Sequence, residues 1–205
     1  MNFTTKKVLT VVLISLFAEF TFIGCSHRSD DAMLQLEKDA QDGGVLVSEF
    51  DPIMRRAASV ADMDWLLLSA IAHTESRFQS DVRSSVGAIG IMQVMPSVAR
   101  SFGVSPEEAK NAEVNVALAI RVLKSSEQGL RLNAASERDR ISIILACYNN
   151  GIGNVLEARR RAAQAGVDHN NWQQLKKFAP ISGTQTPAFV NQVLQKWEEY
   201  KKMYS

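Results

Sequence analysis

Apolar residues recur every three or four positions through most of residues 51–205, and the strict alternation of a half-buried strand is missing. That spacing confines the chain to a helical architecture. The stretch VADMDWLLLSAIAHTESRF is predicted to form a strong helix, with Asp62 or Asp64 as its N-terminal cap. SVARSFGV reads as a short helix ended by Gly103. SPEEAKNAEVNVALAIRVLKSSEQ reads as a longer one, opened by the start signal Ser105-Pro106-Glu107-Glu108. RDRISIILACYNN is a buried helix stopped by Asn150 and Gly151. IGNVLEARRRAAQAG follows, and TPAFVNQVLQKWEEYKKMY is the last helix. The expected fold class is all-α, mostly helical, with at most a small β-hairpin in RSSVGAIG.

One residue conflicts with this apolar patterning. Leu68, Ile71, Ala72 and Glu75 fall at i, i+3, i+4 and i+7, so Glu75 continues the apolar stripe of its helix. An ionised carboxylate there is costly unless paired, and desolvation favours its neutral form. A neutral acid near neutral pH is what general acid catalysis requires. A partly exposed glutamate at a helix end is the plainer alternative. The sequence that follows bears on the choice. Gly87 and Gly90 in GAIG suit a tight turn or a close approach of ligand to backbone. IMQVMP then places Met92, Gln93 and Met95 beside Pro96. Methionines offer an adaptable apolar lining, and a glutamine both donates to and accepts from sugar hydroxyl or acetamido groups. Core packing before a helix start at Pro96 is the competing reading. Downstream, ACYNNGIGNV supplies Tyr148, able to hydrogen-bond a carboxyl group, with Asn149 and Asn150 at the turn into Gly151.

The N-terminus differs from the rest. Lys6 and Lys7 precede VLTVVLISLFA, a basic region and short apolar core typical of a secretory signal. The signal closes on TFIGC, which resembles the lipobox of bacterial lipoproteins and implies lipidation of Cys25. Phe22, Ile23 and Glu19 depart from the commonest form of that pattern. Residues 1–24 are therefore expected to be a signal peptide. Residues 25–50 would be the lipidated Cys and a polar tether, with a short helix at AMLQLEKDA, and residues 51–205 the functional domain. The formal net charge is +1 over 205 residues. Losing residues 1–24 removes two lysines and one glutamate and leaves zero net charge. Nothing in this balance calls for nucleic acid, and any attachment to a membrane rests on the lipid. With Cys25 lipidated, Cys147 has no partner and reads as a small buried hydrophobe. His73 and Glu75 match H-x-E, but P-C-x-x-C and H-E-x-x-H are both absent, so no metal and no cofactor are expected.

Three motifs in order carry a specific resemblance. Glu75-Ser76-x-Phe78 comes first. Ser84 then precedes Gly87-Ala88-x-Gly90-Ile91-Met92-Gln93-x-Met95-Pro96, and Tyr148-Asn149-x-Gly151-x-Gly153-x-Val155 follows. Together they resemble the soluble-lytic-transglycosylase domain family over roughly residues 60–200. GNVLEARRRAAQAGVDHNNWQQLKKFAP further resembles the C-terminal domain of the membrane-bound F branch of that family. The resemblance implies a lysozyme-like fold with a cleft for a glycan strand, Glu75 as catalytic acid and later base, Ser84 and Gln93 on the sugar, and Tyr148 positioning Glu75. Met92, Asn149 and Gln185 join these as expected substrate-binding residues. The family's middle-motif Gly and Tyr are Ala119 and Val122 here, after Asn115, and its late glutamate is Gln185, which bears on stem-peptide preference. The implied partners are peptidoglycan strands, a membrane through Cys25, and other cell-wall enzymes. The implied location is the bacterial envelope, facing the periplasm. Ser26 after the Cys favours the outer membrane where the sorting rules keyed to an aspartate apply. The chain is too short for the F branch's N-terminal solute-binding-like domain, so a stand-alone catalytic module on a lipid tether is expected. Two competing functions remain: a lysozyme-type hydrolase, which would need a positioned water, and a non-catalytic wall-binding scaffold.

Overall fold

Helix boundaries in this protein follow local capping chemistry. The computed structural model describes residues 46–134 and 136–205, so Cys25, the signal and the AMLQLEKDA stretch lie outside the described residues. Helix α1 (Asp51–Ala61) starts with Pro52 in its first turn and ends at Asp62, whose φ of 50° is left-handed. Its buried Asp51 accepts hydrogen bonds from the Val47 and Ser48 amides. Helix α2 (Trp65–Ser76) is capped by Asp64, which accepts from the Leu66 amide at 2.8 Å. Of the two candidate caps, Asp64 therefore starts α2 and Asp62 ends α1. Leu66 to Ala72 are all buried, as expected of a helix that is apolar on every side and runs through a core.

Helix α3 (Pro96–Ser101) opens at the expected proline. The start signal at Ser105 behaves differently. Ser105 and Glu108 do form a reciprocal capping box, but it caps only a 3-10 turn, Glu108–Lys110. Asn111 then turns to extended backbone and caps α4 (Ala112–Leu130) through the Glu113 and Val114 amides. The long helix thus begins seven residues after the sequence signal. Helix α5 (Glu137–Asn150) is capped by Ser136, and every residue from Ile141 to Cys147 is buried. Gly151, with φ of 81°, makes the break into α6 (Ile152–Gln164). The short α7 (Trp172–Leu175) buries Trp172, and α8 (Thr186–Met203) packs on α2 and α5. In place of a hairpin in RSSVGAIG there are two isolated antiparallel bridges, Arg83 to Ile89 and Ile89 to Val94. Cys147 is a free, buried thiol, and burial pushes it up to about 12.

The irregular segment between α2 and α3 is held from α4 by Asn115, which is fully buried. Its side-chain carbonyl accepts from the Met92 amide at 2.8 Å. Its nitrogen donates to the carbonyls of Ala109 at 2.7 Å and Ile89 at 3.1 Å. The contact is close enough to demand glycine at position 90. A Cβ there would lie 2.6 Å from Asn115 Cγ, and φ is +78°. Replacing Asn115 by Ala would leave the Met92 amide and the Ala109 carbonyl without partners, each worth about 1–3 kcal/mol, while the Ile89 carbonyl keeps the Val94 amide. Denaturant titration of Asn115→Ala should show a loss of about 3 kcal/mol; a loss below about 1 kcal/mol would mean the brace is dispensable.

Candidate active site

Glu75 lies on the last turn of α2, half-buried, and its carboxyl has no hydrogen bond or ion pair among the described residues. Burial alone raises it from 4.5 to about 7. No neighbouring charge contributes to that shift, so among the described residues no second carboxylate stands close enough to act on it. The chain leaves the acid abruptly: Arg77 and Phe78 both take left-handed φ values, 54° and 63°. Such backbone in non-glycine residues is uncommon and persists where surrounding contacts enforce it. Here Phe78 packs edge-on against His73, whose ring nitrogen meets the Tyr200 hydroxyl.

Facing this helix end is the loop 82–94, clamped by side chains from three helices. Ser76, directly after the acid, reaches the Ile91 carbonyl at 2.7 Å from α2. Asn115 holds Ile89 and Met92 from α4. Tyr148 donates its hydroxyl to the Met92 carbonyl at 2.6 Å from α5. Burial and then the Glu75 charge keep the Tyr148 hydroxyl well above its ordinary range. Ser76 and Asn115 were not among the site residues expected from sequence. Their signal was membership of motifs that otherwise read as packing.

The expected binding residues fall in several settings. The Ser84 hydroxyl accepts from the Ala88 amide at 2.9 Å and closes the loop's turn. Gln93, at a φ of 50°, donates its side-chain nitrogen to the Gly90 carbonyl at 2.8 Å. Its side-chain oxygen has no partner among the described residues and remains open to a ligand donor. Met92, expected to bind substrate, is instead fully buried: its thioether packs in the core and its carbonyl is taken by the Tyr148 hydroxyl; Met95, 38% exposed, is the methionine open to solvent on this wall. Asn149 accepts from the Thr186 hydroxyl at 2.9 Å. Gln185, next to Thr186, is exposed at the start of α8. Among the described residues no cluster of three metal-ligating side chains occurs. A cavity of about 480 Å³ near Asp64, Leu67 and Trp197 sits at the opposite end of α2 and does not include the acid.

This is a helical, lysozyme-like fold with one buried acid against a braced loop. The chain belongs to the transglycosylase SLT domain family, whose model matches residues 52–171. It is 30% identical over 132 residues to the membrane-bound lytic murein transglycosylase F of Desulfosudis oleivorans, covering 64% of this chain and 28% of that protein. Among solved structures, an inactive mutant of lytic transglycosylase Slt from Pseudomonas aeruginosa matches with a TM-score of 0.54 and 26% identity, over 73% of this chain and 23% of that one. The 70-kDa soluble lytic transglycosylase in complex with bulgecin A matches in fold, with a TM-score of 0.59 and 22% identity, over 77% and 25% of the two chains. The chain thus spans about a quarter of the length of the relatives it matches.

A carboxyl group raised in the folded state binds its proton more tightly there than in the unfolded chain. Between 4.5 and about 7 the native state therefore holds more protons, and stability falls as pH rises through that window. Glu75→Gln removes the dependence. In denaturant titrations at about pH 8 the variant should exceed the wild type by about 3 kcal/mol, and the two should converge below 4.5. Parallel curves across the window would show that Glu75 is not held neutral.

Proposed function

We propose that this protein is a peptidoglycan lytic transglycosylase that cleaves the MurNAc-β-1,4-GlcNAc bond without water. The observation that carries the reading is the unpaired Glu75, raised to about 7 by burial and with no carboxylate partner. Most glycosidases use two carboxyl groups; this arrangement suits a reaction that needs one. Neutral Glu75 protonates the glycosidic oxygen as the bond to C1 breaks. The oxocarbenium-like centre is stabilised by the substrate's own 2-acetamido group or by dipoles of the cleft. Glu75, now ionised, takes the proton of the muramic 6-hydroxyl, and that oxygen closes on C1 to give a 1,6-anhydro end. Acid and base are one group, so its proton is restored within the cycle.

The family membership and the relatives' names support this reading. The Pseudomonas aeruginosa relative is an inactive mutant in which a glutamate is replaced by glutamine. Ser84, Gln93, Asn149 and Gln185 are proposed to contact the glycan strand or its peptides. Met92 and Tyr148 are proposed to act through the loop that their hydrogen bond holds in place. The hydrolytic alternative would require a group to position water, and among the described residues no second carboxylate acts on Glu75 to serve as one. We further propose that residues 1–24 are a signal peptide, that Cys25 carries lipid, and that residues 25–50 tether the 51–205 domain to the periplasmic face of the outer membrane. Among the described residues no helix is long and apolar enough to cross a membrane.

Mass spectrometry of fragments released from purified peptidoglycan should find anhydro-muramic ends, absent with Glu75→Gln. The rate should fall as pH rises through about 7. Reducing ends one water heavier would make the protein a hydrolase. Cys25→Ala should move the chain from the membrane to the soluble fraction on sedimentation; unchanged partitioning would contradict the lipid anchor.

A further inference from the structure

On the side of α2 away from the acid, a groove of about 320 Å³ opens between the end of that helix and α8. Its walls are His73, Thr74 and Arg77 on one side and Gln192, Gln195 and Lys196 on the other. The Arg77 side chain has no ion pair or hydrogen bond among the described residues, and the residue is exposed. Lys196 pairs with Glu199 at 2.7 Å. His73 is held below its ordinary value by burial, then by the charges of Lys196 and Arg77, which places both cations around it. With His73 neutral, Arg77 and Lys196 outweigh Glu199, and the groove is positive. Thr74 and the two glutamines add donors beside those cations.

The groove is also joined to the site along α8. Gln185, Gln192 and Lys196 are spaced seven and four residues apart and share one helix face. Seven residues of helix span about 10 Å, so this face runs from the Asn149–Thr186 contact to the groove. We propose that the groove is a carboxylate-binding subsite that takes the acidic stem peptide of the glycan strand held at Glu75. This rests on the peptidoglycan reading. Stem peptides branch from the muramic sugar and carry free carboxylates, so the charge complementarity and the path along α8 fit one ligand. The groove thus supplies peptide recognition a little way from the position where Gln185 replaces the family's glutamate.

The test uses the full chain carrying Glu75→Gln, so that ligands bind without turnover. Calorimetric titration compares a MurNAc–GlcNAc disaccharide bearing its stem peptide with the same disaccharide stripped of peptide. The parent should bind the peptide-bearing form more tightly. Adding Arg77→Gln and Lys196→Gln should weaken that binding about three- to tenfold, with the loss confined to the peptide-bearing ligand. Gln192→Glu, which breaks no hydrogen bond, should act in the same direction by repulsion, and unchanged melting temperatures show that the variants fold. Equal binding of the two ligands by the parent, or full affinity in the groove variants, overturns the subsite while leaving the enzyme reading intact. Failure of the parent to bind either ligand overturns the peptidoglycan reading, and the subsite with it.

Discussion

The hydrogen bonds of Asn115 are the constraint on which the site depends. Loop 82–94 has only two isolated bridges; its turns close on backbone hydrogen bonds of their own, but the Met92 amide and the Ile91 and Met92 carbonyls take side-chain partners from outside it. A single buried amide group satisfies Met92 and Ile89 while also tying in Ala109. Ser76 and Tyr148 complete the clamp at Ile91 and Met92. A loop held at consecutive residues from three helices keeps its shape without regular secondary structure. The same contacts explain why position 90 has no side chain: a Cβ would occupy the space of the Asn115 amide.

Two buried acids show what is particular about Glu75. Asp51 is the more deeply buried, yet its oxygens accept from two amides and a hydroxyl at the start of α1. Glu75 sits at the opposite kind of helix end, where carbonyls point outward and a negative charge is unwelcome. None of the nearby donors is spent on it; the Tyr148 and Ser76 hydroxyls are both turned to the loop. A buried acid left unpaired costs stability above its ordinary range, and sites of this kind are retained for chemistry. The neighbouring polar groups stabilise the loop, and the loop in turn shields the acid.

Much of this was legible in the periodicity. The apolar runs of α2 and α5 are continuous enough to mark helices buried on all sides, and Glu75 stood out because it continued such a run. Other features were less legible for physical reasons. Helix α1 has a narrow buried face, Met54 and Ala58, interrupted by two arginines, and its best signal was Asp51-Pro52. The Ser105 capping box was chemically genuine but governed a single turn, because Asn111 offers a second cap three residues on from Glu108. Met92 looked like lining because sequence cannot tell a thioether facing a cleft from one facing the core. The part played by Asn115 depends on backbone groups more than twenty residues away, which no local pattern encodes.

One helix end thus presents an acid on one side and a basic groove on the other, and these must not cancel. A cation within about 4–6 Å of a carboxylate lowers its pKa. Arg77 follows Glu75 by only two residues, yet burial is the sole cause of the Glu75 shift. Their positions at the end of α2 account for the separation: residues two apart on a helix do not face each other, and the Arg77 side chain lines the groove with His73 and Lys196. The left-handed turn at Arg77 and Phe78 has a different consequence. It ends α2 directly after the acid and starts the loop that walls it, so the carboxyl is desolvated by the loop while the cation beside it in sequence serves the other face.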